Sequence, residues 1–269
     1  MSGSVAGDRG GGGGGRMQPA EQPFKDHFSD SAAAYAARRP SYPTALVDFL
    51  AEVAPRRELA WESGCGSGQL SVLLAGRFEQ VIATDASAEQ IAQARPHPKV
   101  RYAQAPAEAS GLPAAVVDLA VAAQAAHWFD LAGYYAEVRR VARRGAIIAL
   151  ATYATMSIDD DIDRVVKRFY LDVVGPYWPP ERRHTEDGYR SLPFPFDELP
   201  APELEMRAEW ALADVVGYVE TWSAVRAMAR ATGRAPIPEL RRDLARAWGP
   251  EAAVRPVRWP LALRVGRLS

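Results

Sequence analysis

From residue 59 onward, short apolar runs alternate with stretches whose apolar positions recur at helical spacing. Leu59-Ala60-Trp61, Gln80 to Thr84, Val100-Arg101-Tyr102, Val117 to Ala122 and Ala146 to Ala151 read as strands. Between them, Gln69 to Ala75, Ala88 to Ala94 and Leu131 to Val141 read as helices. Alternation of this kind predicts a mostly parallel sheet with helices on both faces. Upstream, the alanine-rich Asp26 to Arg39 reads as a helix stopped by Pro40, and Thr44 to Val53 has apolar residues at helical period. After Tyr153 the alternation breaks. Ile158 to Val173 reads as a helix, and a proline- and aromatic-rich stretch then runs from Gly175 to Phe196. That stretch is too long and too apolar for a simple surface loop and is expected to be an inserted cap. Glu203 to Ala211 and Val257 to Val265 read as two further strands, with helical pieces at 213–231 and 237–247 between them.

Composition narrows the class. The 269 residues are 48% apolar, enough for a sizeable core, with a formal net charge of −1. Near-neutral charge gives no bulk electrostatic reason to expect a nucleic-acid or membrane partner. The single cysteine, Cys65, excludes an intramolecular disulfide framework. No run approaches the ~18 apolar residues of a membrane span, and the first 16 residues lack the apolar core of a signal peptide. A soluble cytoplasmic protein is the expectation. The Gly10 to Gly15 run costs too much backbone entropy to order alone, so residues 1–20 are expected to be a disordered leader, and Met17 is a plausible functional start.

Candidate chemistry sits at the strand ends. Glu62-Ser63-Gly64-Cys65-Gly66-Ser67-Gly68 follows the first strand, and Thr84-Asp85 ends the second. Glycines at 64, 66 and 68 allow a sharp turn and close approach of a ligand. A carboxylate ~20 residues further on can accept both hydroxyls of a ribose. The spacing lacks the third glycine of a dinucleotide fingerprint, and no Lys-Ser/Thr follows to make a P-loop. Glu62 would repel a pyrophosphate but suits a cationic ligand, which favours S-adenosylmethionine (SAM) over NAD.

With these residues the chain resembles the class I SAM-dependent methyltransferases, in their small-molecule, trans-aconitate-methyltransferase-like branch. The resemblance rests on Glu62 to Gly68, Thr84-Asp85-Ala86-Ser87, Pro106-Ala107-Glu108, Asp118-Leu119 with Gln124 to Asp130, and the N-terminal run Tyr35 to Pro43, and covers roughly residues 24–267. It implies a Rossmann-like seven-stranded sheet with the last strand antiparallel. The divisions it suggests are a helical segment at 21–55 covering the cofactor, a SAM-binding core at 56–155, the cap at 156–200, and 201–269 completing the sheet. A Pro-Gly-Gly turn usual before the fifth strand is reduced here to Ala142-Arg143-Arg144-Gly145-Ala146.

The cofactor contacts it implies are Glu62, Gly64, Gly66, Gly68, Asp85, Ala86, Ala107, Glu108 and Gln124, with Tyr35 and Arg39 from the N-terminal segment. His127 stands either as a base, as a group orienting the acceptor, or as a structural hydrogen bonder. Trp128, Tyr177, Trp178 and Arg182, beside Arg183 and His184, combine rings and positive charge on the acceptor side, which would suit a carboxylated or phenolic acceptor. No metal is implied. The expected activity is methyl transfer from SAM, leaving S-adenosylhomocysteine, to a small-molecule oxygen. Transfer to sulfur or nitrogen, or a cofactor-binding protein without transfer, are the alternatives. The Asn/Asp-Pro-Pro-Tyr/Phe motif of nucleic-acid amino-methyltransferases is absent, since Gln124-Ala125-Ala126-His127 stands there.

Overall fold

The computed structural model describes residues 40–269 together with Met1; the expectations for the leader, for Asp26 to Arg39, and for Tyr35 and Arg39 lie outside the described residues. Five strands, β1 (Leu59–Ser63), β2 (Gln80–Asp85), β3 (Val100–Gln104), β4 (Val117–Ala123) and β5 (Ala142–Tyr153), pair in parallel in the order β3-β2-β1-β4-β5. Three more follow: β6 (Asp197–Leu199), β7 (Leu204–Trp210) and β8 (Arg255–Arg267). β8 runs antiparallel to β5, and β6 and β7 both pair antiparallel with it. The expected plan, parallel with a reversed last strand, holds. The three-residue β6 brings the described sheet to eight strands.

Period-2 side-chain alternation in strands buried on both sides explains the two cores. All seven residues of β4 are buried. Leu119 and Val121 join Ala60, Val81 and Ile147 on one face, while Ala120 and Ala122 join Trp61, Ile148 and Leu150 on the other. The first face is covered by α1 (Thr44–Val53) and α2 (Gln69–Leu74) through Leu46, Leu50, Leu70 and Leu74. After the short α3 (Ala88–Ala92), α4 (Leu131–Val141) covers the second face through Tyr134, Val138 and Val141. Each such buried aliphatic or aromatic side chain contributes about 1.5–3 kcal/mol.

Three boundaries differ from expectation. β5 starts at Ala142, directly after α4, so the segment read as a turn before the fifth strand is itself strand. Gly145, at φ +77°, lies beside a register shift in the β4–β5 pairing, and Arg143 is anchored across the sheet. The helix expected over Ile158 to Val173 is an α-helix only at α5 (Asp160–Arg168), because Asp159 caps it by accepting from the Ile162 amide; Phe169–Val173 continues as one wide π-turn. Beyond α6 (Arg183–Glu186), the piece read as 213–231 divides at Thr221-Trp222 into α7 (Leu212–Glu220) and α8 (Ser223–Thr232), followed by α9 (Ile237–Trp248).

At the end of the sheet away from the glycine turn, Asp118 is fully buried and accepts from the amides of Glu58 and Leu59, each at 3.0 Å, and from Arg143 at 2.9 Å. It brackets the starts of β1, β4 and β5. Asp118→Ala would strand the two backbone amides while Arg143 keeps its pairing with Glu58, and each buried donor left unsatisfied costs about 1–3 kcal/mol. Urea unfolding should show a midpoint lowered accordingly; an unchanged midpoint would mean that water satisfies the bracket.

Candidate active site

The turn after β1 is built from three residues in the left-handed region: Gly64 (φ +66°), Gly66 (φ +53°) and Gly68 (φ +76°). Space explains two of them. A Cβ on Gly64 would lie 2.5 Å from that of Ala125, and one on Gly68 would fall 2.8 Å from the Tyr102 ring carbons. At Gly66 the same atom would find nothing closer than Gln90 Oε1 at 3.7 Å, so the middle of the turn faces open space. The turn is tied to the tip of β2. Cys65 N–H donates to Thr84 O at 3.0 Å, and Gly66 N–H donates to Asp85 Oδ2 at 2.8 Å. Asp85 Oδ1 accepts from the Ser87 amide at 2.9 Å, and the carboxylate remains half-buried at the cleft edge. Beneath, Glu62 is buried and accepts from Ser71 Oγ, fastening the turn to α2.

The loop after β3 is fixed by Glu108, whose carboxylate accepts from the Asp130 amide at 2.9 Å while Asp130 caps α4. At the tip of β4, Gln124 adopts φ +54°, rare for a residue with a side chain. Its amide group turns back onto β5, donating to Tyr153 O at 2.9 Å and accepting from Thr152 Oγ1 at 2.5 Å. A single helical turn, Ala126–Trp128, then presents His127, half-buried, with Nδ1 at 2.7 Å from the Tyr189 hydroxyl. The turn Pro180–Arg182 packs against it. Arg182 lies over the Trp178 ring at 4.9 Å and donates from Nε to the Tyr170 hydroxyl at 2.9 Å.

A glycine turn open at its centre and a carboxylate on the next strand tip suit an adenosyl group, with Glu62 holding the turn from beneath. Comparison with known proteins agrees. Residues 61–150 match a family model described as a methyltransferase domain. A Dictyostelium discoideum protein named as a methyltransferase is 32% identical over 234 residues, covering 86% of this chain and 89% of its own. The chain belongs to the class I SAM-dependent methyltransferases. A solved structure from Anaeromyxobacter dehalogenans, described as a type II methyltransferase, is 52% identical with a TM-score of 0.81, covering 85% of this chain and 97% of that one. A malonyl-[acyl-carrier protein] O-methyltransferase of Pectobacterium atrosepticum is 35% identical over 101 residues, 37% of this chain and 40% of its own.

SAM is therefore the enzyme's cofactor, and the residues at the strand tips fall into two groups. Gly64, Gly66, Gly68, Asp85 and Ala86 come together at the tips of β1 and β2, with Ala107 and Glu108 on the loop after β3 and Gln124 on the β4 tip. His127, Trp128, Trp178 and Arg182 gather on the other side, the His127 and Trp128 rings 4.7 Å apart. Tyr177 packs with the apolar cluster instead, and His184 pairs with Ser191 at 2.7 Å. Sequence reasoning missed Ser71, Tyr102 and Tyr189. No motif marks them; each acts through a partner distant in sequence.

Burial decides the charge states. Desolvation, and secondarily the neighbouring Asp85, pushes the Glu62 carboxyl up to about 8, against a pull from Ser71. Desolvation, then the charges of Arg182 and His184, push His127 down to about 3, so its ring is neutral at physiological pH. Among the described residues no cluster of His, Cys, Asp and Glu could hold a metal ion, and no helix is long and apolar enough to cross a membrane.

Glu62 makes stability depend on pH. Above its ordinary value of 4.5 the unfolded chain has lost this proton, whereas the folded protein keeps it until about 8. The contribution of Glu62 is therefore complete below 4.5 and is lost as pH rises through 8. Glu62→Gln should remove that loss. Thermal unfolding from about pH 5 to about pH 9 should show the wild type falling behind the variant by on the order of a few kcal/mol. Parallel profiles would show that Glu62 is ionised in the folded state.

Proposed function

We propose that the enzyme methylates an oxygen of a small molecule, a carboxylate before a hydroxyl, in the cytoplasm. The observation that carries this reading is Arg182. It is half-buried against the His127 turn, stacked on Trp178, and has no carboxylate partner among the described residues. A guanidinium so placed offers its remaining N–H groups as a fork for an anionic oxygen pair. The likeness of the core to a malonyl-[acyl-carrier protein] O-methyltransferase points the same way.

In this reading the chain's work is positioning and exclusion of water. When bound, SAM supplies an activated methyl carbon. Asp85 would hold the ribose, the Gly64 to Gly68 amides the methionine side, Ala86 and Ala107-Glu108 the adenine edge, and Gln124 the backbone turn beside the sulfur. Arg182, His127 and Trp128 would seat the acceptor, with residues 156–200 as the cap that closes over it and Trp178 as its wall.

Two variants separate the halves of this proposal. Asp85→Ala should weaken SAM and S-adenosylhomocysteine binding by at least about tenfold in calorimetric titration, the worth of a charge-assisted hydrogen bond. Arg182→Met should leave that binding intact but raise KM for a carboxylate acceptor by about ten- to a hundredfold. Undiminished SAM binding in the first variant, or preferential turnover of amines or thiols over carboxylates in an acceptor screen, would overturn the corresponding half.

A further inference from the structure

We propose that Tyr189 is a positioning residue for methyl transfer: its hydroxyl holds His127 in the tautomer with the proton on Nε2, so the ring meets the acceptor as a hydrogen-bond donor and not as a base. The inference rests on the reading above that His127 lines the acceptor side of the cleft.

Three observations carry it. Tyr189 comes from the segment after α6, its ring is fully buried, and its hydroxyl lies 2.7 Å from His127 Nδ1. In that contact the phenol is the stronger donor, because a phenol O–H gives up its proton far more readily than a neutral imidazole N–H. With the phenol proton bridging to Nδ1, the ring's own proton must sit on Nε2. Nε2 has no partner among the described residues and belongs to a half-buried ring, so this N–H is available to a ligand.

The backbone supports the assignment. Tyr189 has φ +64°, a strained conformation for a bulky L residue, and follows Gly188 at φ +67°. The conformation is held by four bonds: Tyr189 N–H to His184 O at 2.7 Å, Arg264 to Tyr189 O at 3.1 Å, Leu192 N–H to Tyr189 O at 3.2 Å, and the hydroxyl on His127. Of the three non-glycine residues with positive φ among those described, Gln124 and Tyr189 both converge on the β4 tip. Arg182 and His184, the charged and titratable neighbours, further disfavour a protonated ring.

The chemical consequence is a restriction on the acceptor. A methyl group joining a carboxylate oxygen leaves a neutral ester and releases no proton, so nothing in that reaction asks His127 to accept one. With Nε2–H and Arg182 both donating, the site serves an oxygen that arrives already ionised. A protonated amine or an ordinary alcohol would find no base at this position.

The test reads the ring directly. Full-length enzyme labelled with 15N-histidine, saturated with S-adenosylhomocysteine, is examined by long-range 1H–15N correlation, with His127→Gln identifying the His127 signals among the four histidines. The expected result is one fixed pattern, Nδ1 bare and Nε2 protonated, unchanged from about pH 6 to about pH 9 although an ordinary histidine titrates near 6.5. In Tyr189→Phe both nitrogens should move to averaged values, and kcat on a carboxylate acceptor should fall about ten- to a hundredfold with SAM binding unaltered. A wild-type ring protonated on Nδ1, or a pattern unmoved by Tyr189→Phe, would overturn the proposal. The wild-type spectrum decides the tautomer whether or not the variant folds. A fixed Nε2–H pattern together with full turnover in His127→Gln would instead sink the placement of His127 at the acceptor.

Discussion

The hydrogen bond from the Gly66 amide to the Asp85 carboxylate places the glycine turn and the tip of β2 in one rigid frame. Everything at the cofactor side is measured from it. β1 and β2 run parallel with Ser63 opposite Thr84, and Trp61 Nε1 reaches Thr84 Oγ1 at 3.0 Å inside the core. Cys65 continues the pairing two residues past the strand, so the chain leaves the sheet in a defined direction before it turns. A charge-assisted bond of this type contributes about 1.5–3 kcal/mol, more than an ordinary amide pair. Parallel strands bring their carboxyl ends to one edge, and this bond converts that edge into a shaped cleft.

Much of this frame was legible in the sequence because its causes are local. α4 spans Leu131–Val141 as expected, since Asp130 caps it and its apolar residues recur at helical period. The same holds for β4, where Leu119 to Ala123 run apolar between Asp118 and Gln124 and the strand is buried on both faces. What was not legible depends on partners far along the chain. β5 extends back to Ala142 where Arg143 reaches Asp118 in β4 and Glu58 just before β1. Tyr189 has neither period nor motif; its significance is a contact with a histidine 62 residues earlier. The glycines identified the turn, but Tyr102, which makes Gly68 obligatory, follows from the β2–β3 register and from nothing in the loop itself.

The surface proposed for the acceptor is built into the sheet and is not a loose loop. Arg264, in β8, donates to the carbonyls of Tyr189 and Leu192, pairs through Nε and an NH2 with Glu198 at 2.9 Å each, and lies over the Phe194 ring at 4.6 Å. Further on, rings pack in succession from Tyr170 through Trp178, Trp222 and Tyr218 to Trp259 and Trp210. Aromatic pairs of this kind are worth about 0.5–1.5 kcal/mol beyond burial and admit few alternative arrangements. Arg182 and His127 therefore face each other across surfaces held by β8 on one side and β4 on the other.

β8 also has a consequence for how the molecule is made. It lies between β5 on one edge and β6 and β7 on the other, yet it follows all three in the chain. During synthesis the first seven strands leave the ribosome with the open edges of β5 and β7 unpaired, and both wait for residues 255–267. Unpaired edges of this sort are templates for association with other chains. The charged residues of β7, Glu205, Arg207 and Glu209, alternate along the waiting strand and discourage such pairing until β8 arrives.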